Sequence, residues 1–266
     1  MTGWLRHPWR VAGRLPWLAA ELLWIAVVYG VRCSLRADDF QPAARAAWLQ
    51  YASRRLLRIF RMQIQIEGAI PKNGLLVSNH LGYLDIPVFA SLTPAIFVAK
   101  HEVKSWPVFG WFARLAGTVF VHRERRAQTV EATQEIETAL GSGGLVILFP
   151  EGTSSNGEMI LPFKSSLMEP AAKLSSPLTA GWIHYELDDG DPREEVCYWK
   201  DMTLVPHLIN LLSKRSVRAT VRFAPFHGNF ADRKELARKM HQEIVRLKER
   251  ALPVSPASDL AQSNSC

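Results

Sequence analysis

Three short stretches of the 266-residue chain gather side chains that can move protons or hold anions. His80 and Asp85 lie five apart in Ser78-Asn79-His80-Leu81-Gly82-Tyr83-Leu84-Asp85, with a glycine between them. That spacing lets the carboxylate fold back onto an imidazole nitrogen, fix the tautomer and stabilise the imidazolium, which leaves the other nitrogen as a base. Phe149-Pro150-Glu151-Gly152-Thr153 sets an acid, a conformationally free glycine and a hydroxyl directly after an apolar run. Arg123, Arg125 and Arg126 stand just ahead of a helical stretch, where guanidinium forks and a helix start both favour anions. Lys100 and Lys104 add cations beside another apolar run.

Each group also has a plain structural reading. Asp85 is where the cap of a helix opening at Ile86-Pro87 is expected, His80 is a loop histidine, the arginines begin a solvated helix, and Phe149 to Thr153 is a turn. No metal centre is predicted, because no third ligand stands at a recognisable spacing and Cys33, Cys197 and Cys266 match neither a zinc nor a disulfide pattern. So few, scattered cysteines read as a reducing compartment. Without a G-x-S-x-G elbow or a P-loop, neither a serine nucleophile nor a nucleotide cradle is expected.

The elements that must position these loops follow from periodicity. Apolar runs at Leu75–Val77, Ala95–Ala99, Thr118–Val121, Leu145–Phe149, Leu178–Ile183 and Val217–Phe223 alternate with helical stretches at Ile86–Leu92, Ala127–Leu140, Ser165–Leu174, Met202–Leu212 and Ala231–Arg250. In the last of these Leu236, Met240, Ile244 and Leu247 share one face, and Met62 to Ile66 alternates at period two. The pattern predicts an α/β fold, a mostly parallel twisted sheet flanked by helices, with the three loops beyond the carboxyl ends of strands.

Ahead of this body, residues 1–62 hold ten arginines against Glu21, Asp38 and Asp39, which accounts for the whole net charge of +7. Leu15 to Val31 is an apolar run of seventeen residues with Glu21 as its one charge. At that length it reaches roughly 25 Å, short of the ~30 Å hydrocarbon core, and no small-x-small cleavage site follows it. A second amphipathic helix is predicted over Pro42–Arg61, and five of the nine tryptophans (Trp4, Trp9, Trp17, Trp24, Trp48) lie in this arm. Trp and Arg together settle at a lipid headgroup boundary, so residues 1–62 are expected to form a two-helix membrane-associating arm. Residues 63–252 then form the α/β domain, and 253–266 a polar disordered tail. Nucleic acid is not an expected partner, since the arginines are interleaved with aliphatic runs and the body is neutral.

Taken together the loops resemble the glycerolipid acyltransferase family typified by 1-acyl-sn-glycerol-3-phosphate acyltransferase, over about Leu75 to Phe223. Asn79, His80 and Asp85 meet the family's N-H-x-x-x-x-D block. Gly117 to Arg123 matches the block that ends in arginine, with His122 where aspartate is usual. Phe149 to Thr153 is the F-P-E-G-T block, with Ser154 in place of the usual arginine, and Ser176 to Ala180 is a faint fourth block.

The resemblance implies an O-acyltransferase with His80 as base and Asp85 as its orienting partner. It assigns substrate binding to Asn79, Arg123, Glu151, Gly152 and Thr153, with help from Lys100 and Lys104. The acyl donor is acyl-CoA or acyl carrier protein, used as a substrate, and no cofactor is expected. The acceptor is a lysophospholipid, foremost lysophosphatidic acid giving phosphatidic acid, or with the same chemistry a lyso-ornithine lipid. A non-catalytic lipid- or nucleic-acid-binding protein using only the basic arm is the rival of another class. The expected location is a phospholipid membrane surface, with the catalytic domain on the cytoplasmic side.

Overall fold

The structure, a computed structural model, describes residues 7–32, 41–106, 108–121, 126–169, 176–228, 230 and 232–250. The apolar runs become seven strands: β1 (Met62–Glu67), β2 (Gly74–Ser78), β3 (Ile96–Lys100), β4 (Val119–Val121), β5 (Leu145–Leu148), β6 (Leu178–Leu187) and β7 (Val217–Phe226). They form one sheet in the order β1-β7-β6-β2-β5-β3-β4. Five neighbouring strands, β6 through β4, run parallel, while β7 is antiparallel to β6 and carries β1 parallel to itself. β2 and β5 read as unbroken apolar runs because both of their faces are covered, and every residue of each is buried. β1 lies at the edge, which leaves Ile66 exposed despite its place in the period-two pattern.

Helices α1 (Pro8–Arg32), α2 (Gln41–Ile59), α3 (Asp85–Leu92), α4 (Phe109–Leu115), α5 (Arg126–Gly141), α6 (Pro192–Glu195), α7 (Leu204–Ser213) and α8 (Arg233–Glu249) surround the sheet. Of the helix predicted over Ser165–Leu174, the described part is a 3-10 turn at Ser165–Met168 followed by a helical Glu169. Alternation along the strands sorts the core into two layers. Leu76, Ile147, Ile183, Tyr185 and Ala219 pack on one face against Phe89 of α3 and Leu211 of α7. Val77, Val146, Leu148, Ala180 and Trp182 pack on the other, against Ile136 of α5 and the Leu236, Met240, Ile244 and Leu247 stripe of α8.

The arm is longer and more firmly docked than its hydropathy implies. α1 has 25 residues, about 37 Å of helix, because Pro8 opens it well before the apolar run. Arg14, Leu18, Glu21 and Ile25 form a buried stripe along it. Arg14 donates to the carbonyls of Leu212, Lys214 and Arg215, closing the end of α7, and Arg10 pairs with Asp189 at 3.0 Å. Arg55 of α2 grips both oxygens of Glu21, at 2.6 and 2.8 Å, and the Trp48 indole donates to the Ile25 carbonyl. Arg54 donates to the Ser91 carbonyl at the end of α3. Among the described residues Arg10, Arg14, Arg54 and Arg55 thus bond within the molecule, so their positive charge is not free to face outward. The outer face of α1 exposes Trp9, Leu15, Trp17, Leu23, Trp24, Val27 and Val31. By length and composition α1 can cross a membrane, and 17% of its most apolar stretch is buried.

Candidate active site

β2 delivers the first block to the middle of the sheet's carboxyl edge, between β6 and β5. Asn79 pins that strand end: its Nδ2 donates to the Ile183 carbonyl at 3.0 Å, and its Oδ1 accepts from the Ile183 amide at 2.8 Å. With both amide groups engaged by β6, the buried Asn79 side chain fixes where the next residue starts. Asp85 is the first residue of α3, and its side chain does not cap that helix. It turns back over the loop instead. Gly82 permits this tight course, since a Cβ there would stand 2.9 Å from the Tyr198 main-chain nitrogen.

Asp85 is fully buried and accepts from four donors. Its Oδ2 lies 2.7 Å from His80 Nδ1, 2.6 Å from the Leu81 amide and 3.0 Å from the Gly82 amide. Its Oδ1 accepts from the Tyr185 hydroxyl at 2.7 Å. With four donors directed at it, the carboxylate serves as the acceptor toward the ring, so Nδ1 is the imidazole nitrogen that donates its N–H to Oδ2. Nε2 has no partner among the described residues and is the nitrogen left to take a proton. The imidazole stacks on Phe149, centroids 4.4 Å apart, so its plane is also set by the strand end of β5.

The second loop leaves β5 through a turn in which the Gly152 amide donates to the Phe149 carbonyl, with Pro150 at the position where its fixed φ suits a turn. Gly152 itself has φ +71°, a conformation glycine adopts freely. The turn drives Glu151 inward. Its Oε1 accepts from the His80 amide at 2.9 Å and its Oε2 from the Leu161 amide at 3.2 Å, while the Ser155 amide donates back to the His80 carbonyl. Burial pushes the Glu151 carboxyl up to about 8, against the lowering effect of those two amides. His80 is therefore gripped through its main chain by one acid and through its ring by another.

A third segment closes the site. The Tyr198 amide donates to the Leu81 carbonyl, and the Ser154 hydroxyl donates to the Tyr198 carbonyl. Beside it the Tyr83 hydroxyl meets His207 Nδ1 at 2.9 Å, and His207 Nε2 meets the Cys197 carbonyl at 3.1 Å. Only an N–H can serve a carbonyl, so the proton is on Nε2 and Tyr83 donates to Nδ1. Burial lowers His207 to about 4 and raises the Cys197 thiol to about 12, so the histidine is neutral and the thiol inert near neutral pH.

Thus the fold brings together Asn79, His80, Asp85, Glu151 and Gly152. Thr153 is exposed on the same loop, Lys100 ends β3 one strand beyond β5, and Lys104 lies over the Phe120 ring at 5.9 Å. Arg123, together with His122, Glu124 and Arg125, lies outside the described residues, as do the side chain of Arg126 and the tail 253–266. No cluster of three potential metal ligands occurs among the described residues. Sequence reasoning missed Tyr185, Tyr198 and His207. Tyr185 is 100 residues from Asp85 and reads as one more aromatic in a strand, and nothing in the local pattern marks it.

The sequence profile of the Acyltransferase family matches residues 61–210. A lyso-ornithine lipid O-acyltransferase of Brucella abortus is 37% identical over 215 residues, covering 75% of this chain and 80% of that protein. A 1-acyl-sn-glycerol-3-phosphate acyltransferase of Neisseria meningitidis is 34% identical over 189 residues, covering 70% of this chain and 74% of that one. The fold is also that of the crystal structure of a 1-acyl-sn-glycerophosphate (LPA) acyltransferase from Thermotoga maritima, with a TM-score of 0.69 over 94% of this chain and 98% of that chain, at 20% identity. With the family profile spanning more than half of the sequence and relatives covering most of it, the chain belongs to the acyltransferase family.

Proposed function

We propose that this protein transfers a fatty acyl group from an acyl thioester, acyl-CoA or acyl carrier protein, to the free hydroxyl of a lysolipid at a membrane surface. The observation that carries this reading is the 2.7 Å contact of His80 Nδ1 with Asp85 Oδ2, which leaves Nε2 as a base at the open edge of the sheet. Nε2 takes the proton of the acceptor hydroxyl as its oxygen attacks the thioester carbonyl. The C–O bond forms, the C–S bond of the tetrahedral adduct breaks, and the leaving sulfur takes the proton back from the imidazolium. Asp85 stabilises that imidazolium and keeps the tautomer. No covalent acyl-enzyme enters this route, which suits a Cys197 thiol that is buried and held protonated. Glu151 acts here by holding the His80 main chain, while Thr153, Lys100, Lys104 and Arg123 are the groups offered to the acceptor.

Among acceptors we favour lyso-ornithine lipid over lysophosphatidic acid. The relative bearing that activity in its name matches at higher identity and over a larger share of the chain. Ser154 stands where the resemblance expects an arginine and turns its hydroxyl to the Tyr198 carbonyl, so this position brings no cation to a phosphate. An ornithine headgroup carries a carboxylate and an ammonium, not a phosphate monoester, and needs fewer cations. Residues 1–62 hold the enzyme on the bilayer through the exposed apolar face of α1, with the domain on the cytoplasmic side where acyl thioesters are found.

The test is a thiol-release assay on the full chain with one acyl-CoA and both lyso-acceptors. His80→Ala should abolish release while the fold survives, and Asp85→Asn should lose about 10²–10⁴ in rate by freeing the ring and the tautomer. Retained turnover in His80→Ala sinks the base. A higher kcat/KM for lysophosphatidic acid than for lyso-ornithine lipid reverses the choice of acceptor.

A further inference from the structure

The contact with His80 uses one oxygen of Asp85, and both loop amides fall on that same oxygen. Those three donors move with the loop that carries them. A carboxylate held through Oδ2 alone keeps a soft rotation about its Cβ–Cγ bond, so the loop does not by itself fix the plane in which Oδ2 faces the imidazole. The other oxygen is taken by Tyr185, whose hydroxyl comes from β6, a strand paired with β7 along its whole length, Tyr185 included, and with β2 over Leu178–Gly181. Tyr185 is 1% exposed, stands opposite the small Ala219 of β7, and packs in the same layer as Ile183 and Phe89. Burial and the adjacent Asp85 charge hold its hydroxyl well above the usual tyrosine range, so it remains an O–H donor throughout the range in which a histidine base works.

We propose that Tyr185 is a positioning residue for acyl transfer, fixing the plane of the Asp85 carboxylate from the sheet so that Oδ2 faces His80 Nδ1. The inference rests on the reading of His80 as the base. Tyr185 touches neither substrate nor the imidazole and acts through Asp85 alone. Its removal must therefore lower the rate of the chemical step without changing how either substrate binds, and it must matter only while Asp85 is a carboxylate.

The experiment is steady-state kinetics on the full chain in detergent micelles, with an acyl-CoA and whichever lyso-acceptor the parent enzyme uses. Tyr185→Phe deletes one oxygen and keeps the ring, and should lower kcat about tenfold with both KM values within about twofold of the parent. In an Asp85→Asn background the same substitution should cost less than about twofold, since coupled groups are not additive. Site-specific 3,5-difluorotyrosine at 185 keeps the hydroxyl and should retain kcat within about twofold, which gives a reading even where Tyr185→Phe folds poorly. A Tyr185→Phe enzyme with the parent's kcat overturns the proposal, as does an undiminished tenfold loss in the Asp85→Asn background or a collapse of kcat with the fluorinated residue. If His80→Ala keeps turning over, the base itself is lost and this inference with it. If His80→Ala is inactive and Tyr185→Phe is unimpaired, Tyr185 alone is at fault.

Discussion

At the residue scale the site is two buried acids holding one histidine from different directions. Asp85 has four donors and a fixed job, whereas Glu151 is held by two amides and is pushed up to about 8 by burial. Between its ordinary value of 4.5 and about 8, the folded chain keeps a proton on Glu151 that the unfolded chain has released. Its contribution is therefore fully present below about pH 4.5 and is lost as pH rises through that window. Glu151→Gln cannot titrate, so its thermal midpoint should fall less than the parent's between pH 5 and 8, measured by circular dichroism at matched salt. Parallel curves for the two proteins would remove Glu151 as a buried titrating group. The variant should also lose activity, because a carboxamide can serve only one of the two amides through its oxygen and the His80 main chain loses a fixed point.

At the scale of elements, α1 is tied to the body through the far end of α7. Arg14 supplies donors to the Leu212 carbonyl in the last turn of α7 and to the Lys214 and Arg215 carbonyls just past it, and it is buried in doing so. Arg14→Ala should cost about 2 kcal/mol in urea unfolding, with the denaturant slope unchanged. An unaltered midpoint would mean that solvent replaces the guanidinium at no cost. Helices also differ in what the sequence makes legible. The 3.6-residue period exposes the inward stripe of α8, Leu236, Met240, Ile244 and Leu247, because burial of one face is a local pattern. It does not expose the partner of Arg14, which lies about 200 residues away and is main chain, a group that every residue carries.

For the whole molecule, the outward face of α1 is a large apolar surface among the described residues, and the bilayer is its proposed destination. Leu23, 69% exposed, and Trp24, 49% exposed, stand among five further exposed apolar side chains of that helix. Leu23→Glu with Trp24→Glu should lower binding to vesicles of mixed neutral and anionic phospholipid by more than about tenfold, in a sedimentation assay. Thiol release from a water-soluble short-chain acceptor should be unaffected. Unchanged sedimentation would place the membrane contact elsewhere. To the proposed contact the arginines would add less than their number implies, since Arg10, Arg14, Arg54 and Arg55 are already bonded within the chain.

The amino-acid sequence alone determined the α/β alternation, the loops at the carboxyl ends of the strands, and the His80, Asp85 and Glu151 blocks, because hydropathy periods and short spacings are properties of neighbouring residues. Only the tertiary structure decided what those blocks do to one another. That Asn79 secures β2 to Ile183, that Glu151 reaches the His80 amide, and that Tyr185 takes the second oxygen of Asp85 are contacts across 71 to 104 residues. They depend on strand order, β6 beside β2 beside β5, and strand order is set by how two layers of side chains pack and not by any local signal.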